Sequence, residues 1–145
     1  MTNKILCCAL LAALSAPAAA QSAWIPQTYV GTWAKTAAMC HSDYAAADKD
    51  LLHIRADGQL EYIGQEHGIE LQFTLTGKSY SPLLGTAEGT VSAGGETLPQ
   101  RMHIDYRVRG KRLYDRSQTT YSGLNNEGER PLQAQVKPVV RVRCP

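Results

Sequence analysis

The chain has 145 residues, with 15 Lys/Arg against 13 Asp/Glu, a formal charge of +2 and 43% hydrophobic residues. That length suits one domain. An ordinary apolar fraction and nearly balanced charge exclude a disordered chain or a polyelectrolyte.

Met1 to Ala20 reads as an export tag. Lys4 supplies a positive start, Ile5 to Leu14 is a short apolar run, and Ser15-Ala16-Pro17 breaks it. Ala18-Ala19-Ala20 then offers the small residues that a signal peptidase needs before Gln21. The run is about half the ~20 apolar residues needed to cross a bilayer, which argues against a permanent transmembrane helix. The expected product is an exported, periplasmic chain of one domain, residues 21–145. Cys7 and Cys8 leave with the tag. Cys40 and Cys144 remain, and an even pair in an exported chain implies one disulfide between them.

Period-2 alternation dominates the rest. It predicts about eight strands, at 29–35, 51–56, 59–65, 69–76, 86–93, 100–109, 111–117 and 133–144. Asp57-Gly58 is a hairpin signal between the second and third, and Gly94-Gly95 and Gly110-Lys111 mark further tight turns. Gly89 weakens the fifth strand, and Pro138 demands an edge, a bulge or an irregular start in the last. Ser42 to Asp50, with a capping Ser42 and three alanines, is the sole helical candidate. Residues 77–85, with an exposed-looking Leu83-Leu84 pair, and 117–131, rich in Gly and Asn, read as loops. Eight short antiparallel strands joined by hairpins give an all-β fold, an up-and-down barrel or, as the alternative, a β-sandwich. A disulfide tying the last strand back near the first favours the barrel.

Charge is unevenly spread. From Gln21 to Glu96 four Lys/Arg stand against nine Asp/Glu, and from Thr97 to Pro145 ten stand against four. Arg101, Arg107, Arg109, Lys111, Arg112 and Arg116 fall on one predicted hairpin. The first five, Arg101 to Arg112, form a candidate anion-facing patch. The competing expectation is that Glu61, Glu66, Glu70 and Glu88 on neighbouring strands neutralise them.

No catalytic constellation emerges. His41, His53, His67 and His103 lack any close ligand spacing, so no metal site is expected. There is no Gly-x-Ser-x-Gly, and both mature cysteines are expected to be paired. Asp48 and Asp50, and Glu127 and Glu129, sit in polar turn-like stretches, where carboxylates stay solvated acids. No Gly-rich loop runs from a strand into a helix, so no nucleotide or other cofactor is expected. Export and sparse interleaving of basic and aromatic residues argue against nucleic acid as a partner.

Gly31-Thr32-Trp33 resembles the Gly-x-Trp signature that opens the first strand of lipocalin-like (calycin) barrels, and Asp105-Tyr106 lies near the position of that family's Asp-Tyr pair. The resemblance implies a barrel closed at one end by Trp33, with Arg141 or Arg143 of the last strand over its indole. It also implies a small ligand carried in the barrel. Three function classes follow: a non-enzymatic carrier or sensor of a small ligand, a protein-docking module such as an inhibitor or immunity protein, and a small hydrolase or isomerase. A carrier needs an open interior. A docking module has a filled barrel with a protruding loop, for which 77–85 and 117–131 are the candidates. An enzyme needs convergent polar groups in a cavity.

Overall fold

The computed structural model describes residues 24–41, 49–64, 67–125 and 128–145. The export tag expected at 1–20 and most of the helical candidate, residues 42–48, lie outside the described residues. Nine strands follow in order: β1 Gly31–Ala34, β2 Leu51–Ile54, β3 Gln59–Ile63, β4 His67–Tyr80, β5 Leu83–Ala93, β6 Glu96–Arg109, β7 Arg112–Asp115, β8 Gln118–Ser122 and β9 Val139–Arg143. Single 3-10 turns lie at Ala37–Cys40 and Gly123–Asn125.

Every pairing is antiparallel, from β1 through β6 in simple up-and-down succession. The long β6 then carries two partners. Its half from Tyr106 to Arg109 pairs with β7, and its half from Gln100 to His103 pairs with β8. β9 runs between β7 and β1 and closes the ring. The result is an eight-stranded closed barrel with β8 as one extra strand. Closure removes the open edges that a sandwich would leave, and among the described residues β8, paired with β6 alone, keeps one edge free of a strand partner.

Alternation places Leu52, Leu60, Leu71, Phe73, Leu83, Ile104 and Tyr106 inside, where each is fully buried. They form one continuous core with Trp33 and Leu113. Residues ahead of β1 seal one end. Ile25 and Tyr29 are buried in that core. The Ile25 N–H donates to Ala56 O at 3.2 Å, and Trp33 Nε1 donates to Tyr29 O at 2.7 Å. Side chains therefore fill the barrel.

Two glycines set the curvature of β5. A Cβ at Gly85 would stand 2.1 Å from Thr74 O, and one at Gly89 would stand 1.9 Å from Glu70 O. Only glycine lets β5 press this closely on β4, the device that bends a sheet toward closure. Gly89 thus lies within a continuous eleven-residue strand rather than weakening one.

A second, smaller cluster covers the outer face of β1–β3. Ala34, Leu51 and Ile63 pack there with Met39, Cys40 and Cys144. Cys40 and Cys144 are bonded across 104 residues, with Cα atoms 5.4 Å apart.

Several local expectations fail for physical reasons. Residues 77–85 are no loop: β4 reaches Tyr80, β5 begins at Leu83, and Ser81-Pro82 alone joins them through a cis peptide. The pairing shifts register between Leu75 and Tyr80 and then resumes, so Leu83 is buried rather than exposed. Part of 117–131 is ordered as β8 and the following turn. The strand expected from 133 pairs only from Val139, just after Pro138, which has no N–H to give to a ladder.

Candidate functional site

The last strand is inverted relative to its apparent pattern. Valines alternating with arginines suggest valines inside and arginines in water. Leu113 on β7 is buried and pairs with Arg141, so Arg141 shares its inward face. Arg141 is 4% exposed, while Val140 is 37% exposed. The sequence pattern misses this because it assigns a face by polarity, whereas the pairing partners decide it.

Counter-charges hold Arg141 inside. Its Nη1 donates to Asp50 Oδ1 at 2.5 Å and its Nε to Asp115 Oδ2 at 3.3 Å. Asp115 Oδ1 accepts from the Ser117 N–H at 2.9 Å. The guanidinium lies 5.7 Å from the centre of the Tyr62 ring, and the Tyr62 and Tyr106 hydroxyls are 2.5 Å apart. Burial pushes both tyrosines well above their usual value, and the Asp115 charge pushes them further. For Arg141, burial alone would favour the neutral form, but Asp115 and Asp50 outweigh it and raise its pKa. Each polar group here is answered by another, and the five main clefts among the described residues are lined by outward-facing or loop residues rather than by this cluster. The cluster is a polar latch joining β3, β6, β7, β9 and the start of β2. Of its members, sequence reasoning singled out Arg141, Tyr106 in the Asp-Tyr pair, and Asp50, which it expected to be a solvated acid and which instead pairs with the buried Arg141. Asp115 was legible from one signal only, its shared parity with Leu113.

Arg143 occupies the opposite role at the sealed end. Its guanidinium lies 5.2 Å from the centre of the Trp33 ring, and its Nη2 donates to Val30 O and, at 3.4 Å, to Gln27 O. Trp33 is fully buried. The structure thus gives the two last-strand arginines separate tasks, Arg143 over the indole and Arg141 in the latch.

The outward basic residues divide as well. Arg101 is neutralised by Glu88 at 2.7 Å and Glu129 at 3.1 Å. Arg107 lies 3.6 Å from Asp105. Arg109 rests 5.8 Å from the centre of the Tyr114 ring. Among the described residues no carboxylate lies within ion-pair distance of Arg109, Lys111 or Arg112. Cross-strand register lines up Arg107, Tyr114 and Val140 in one row and Arg109, Arg112 and Val142 in the next. The outcome is an outward-facing strip of cations, one aromatic ring and two valines, in which Arg109, Arg112 and Val140 are exposed and Arg107, Tyr114 and Val142 half-buried.

His53 Nδ1 lies 2.8 Å from Thr32 Oγ1, His41 and His67 are exposed, and His103 is on the outer face of β6. Among the described residues no three His, Cys, Asp or Glu side chains gather as a metal site. No described helix is long and apolar enough to cross a membrane. No family model, curated protein or solved structure matches the chain.

Proposed function

We propose that the protein is an exported docking module, its lipocalin-like barrel closed to small ligands and its outer β6–β7–β9 face binding an acidic surface of a partner protein. The inverted β9 carries this reading. It turns Val140 and Val142 outward beside Arg107, Arg109, Arg112 and Tyr114. Arginine and aromatic residues are enriched at protein interfaces and anchor them. Valines left in water gain free energy when a partner covers them. The unmatched cations steer an acidic partner to the face. Filling of the interior by Trp33, Phe73 and Tyr106 counts against carriage of a ligand inside.

Poly-L-glutamate serves as a stand-in for an acidic protein surface. It should bind the full chain, and binding should fall about tenfold between low and physiological salt as the charges are screened. Arg109→Gln with Arg112→Gln should weaken binding by a similar factor, mainly through the on-rate. Vesicles containing anionic lipid, and a fluorescent fatty acid, are the rival probes. Tight stoichiometric uptake of the fatty acid, or binding of vesicles but not of polyglutamate, would overturn the proposal.

A further inference from the structure

A cleft of about 670 Å³ lies on the outside of the barrel, beside the β6 face. His103 and Asp105 of β6 form its floor with Arg116 and Gln118, and residues 132–137 form its far wall. A second cleft of about 530 Å³ continues it, sharing His103 and Leu132. Both volumes fall in the range of binding sites.

The far wall is unusual in its main chain. Gln118 grips one end of it: its Oε1 accepts from the Gln133 N–H at 2.8 Å and its Nε2 donates to Gln133 O at 3.2 Å. The wall is fixed again at Val139, which pairs with Asp115. Between these anchors Ala134, Gln135, Val136 and Lys137 make no hydrogen bond to any described residue. Four successive residues thus offer unpaired N–H and C=O groups beside a cleft. After a bend at Ala134 the segment has no regular structure, and free main-chain donors and acceptors of this kind are the feature that strand addition uses.

Charge selects the added strand. Arg116 and Lys137 both line the cleft, and neither meets a carboxylate among the described residues. Asp105, the acidic group in the lining, lies against Arg107. Leu132, 51% exposed, adds an apolar contact where the two clefts meet. We infer that this cleft takes an extended peptide segment of the partner, which adds as a strand to the main chain of Ala134–Lys137 and sets an acidic side chain against Arg116 and Lys137. This rests on the docking function proposed above. The cleft and the basic face share β6, so one partner can engage both.

The test is to pan random nonapeptides displayed on phage against the immobilised full chain, then to synthesise the enriched sequences. They should carry an acidic residue, and Arg116→Gln with Lys137→Gln should weaken them about tenfold. Backbone N-methylation of the peptides gives a readout independent of how any variant folds. Methylation at every second residue should cost about tenfold or more, and the same change at the intervening residues should cost little, because a strand pairs through alternate N–H groups. Failure to enrich any peptide, or affinity indifferent to which residues are methylated, overturns strand addition. If polyglutamate still binds and still depends on Arg109 and Arg112, the docking function survives that failure. If polyglutamate does not bind either, both fall.

Discussion

Removing Asp115 alone should be among the most damaging single changes in this barrel. The side chains of Arg141 and Asp115 are 5% and 6% exposed, and they meet at 3.3 Å. In Asp115→Leu the guanidinium stays inside with Asp50 as its remaining carboxylate, and that side chain is 37% exposed. Breaking one partner of a buried pair costs about 3–5 kcal/mol, because the other charge is left uncompensated. Asp50 offsets part of this, so about 3 kcal/mol is expected. Arg141→Met strands two carboxylates and should cost about 4 kcal/mol by the same reasoning. Against a typical stability of about 5–15 kcal/mol, either loss is severe. The double variant, Asp115→Leu with Arg141→Met, swaps the pair for apolar groups and should recover most of the loss. Urea unfolding of all four proteins gives the cycle, and a coupling above about 2 kcal/mol is expected. Additive losses, or a single variant within about 1 kcal/mol of the wild type, would show that the latch holds nothing.

Trp33→Ala should cost about 3–5 kcal/mol in the same assay, as other large-to-small changes of a buried aromatic do; a loss under about 1 kcal/mol would mark the indole as dispensable. Mass spectrometry of the non-reduced chain should find no free thiol at Cys40 or Cys144, and replacing both by Ala should cost up to about 4.7 kcal/mol, the chain-entropy limit for a loop near 100 residues. The tyrosine pair sets an alkaline limit. Folding raises both pKa values above 10.0, so the folded chain keeps protons that the unfolded chain loses. Stability is therefore full below pH 10 and falls as pH rises past it, by up to about 1.4 kcal/mol per pH unit for each tyrosine. Tyr62→Phe should flatten that slope, and an unchanged slope in this variant would refute the assignment.

Much of the fold was legible because two independent signals coincided. β2 and β3 show alternation on either side of Asp57-Gly58, and β6 alternates from Met102 to Val108; each forms with the expected inward set. Legibility failed where one signal misled. Gly77-Lys78-Ser79 and Pro82 carry turn chemistry, which is spent on a register shift between Leu75 and Tyr80 and on the two-residue Ser81-Pro82 connection rather than on a loop. Residues 133–137 alternate like a strand but have no neighbour to pair with. The latch was hidden more deeply. Alternation gives the parity of Arg141 and Asp115 but not which parity points inward, and polarity gave the wrong face for Arg141. The β6–β7 hairpin was legible as basic, but only the pairing of Arg101 with Glu88 and Glu129 separates its neutral end from its cationic tip.

The seam between β9 and β1 joins residues about a hundred positions apart, as in Trp33 with Arg143. Three different bonds reinforce that seam: Arg141 to Asp50, Arg143 to Trp33 and Cys144 to Cys40. The hairpins from β1 to β7 can form through local contacts, whereas the seam spans the longest loop in the barrel, which only the Cys40–Cys144 bond holds together in the unfolded chain. Interactions formed after the rate-limiting step leave the folding rate nearly unchanged and slow the reverse reaction. If the seam forms after that step, the five residues of β9 govern how long the native protein persists more than how quickly it arises. A barrel built this way resists transient opening, and with it proteolysis, along the seam between its first and last strands.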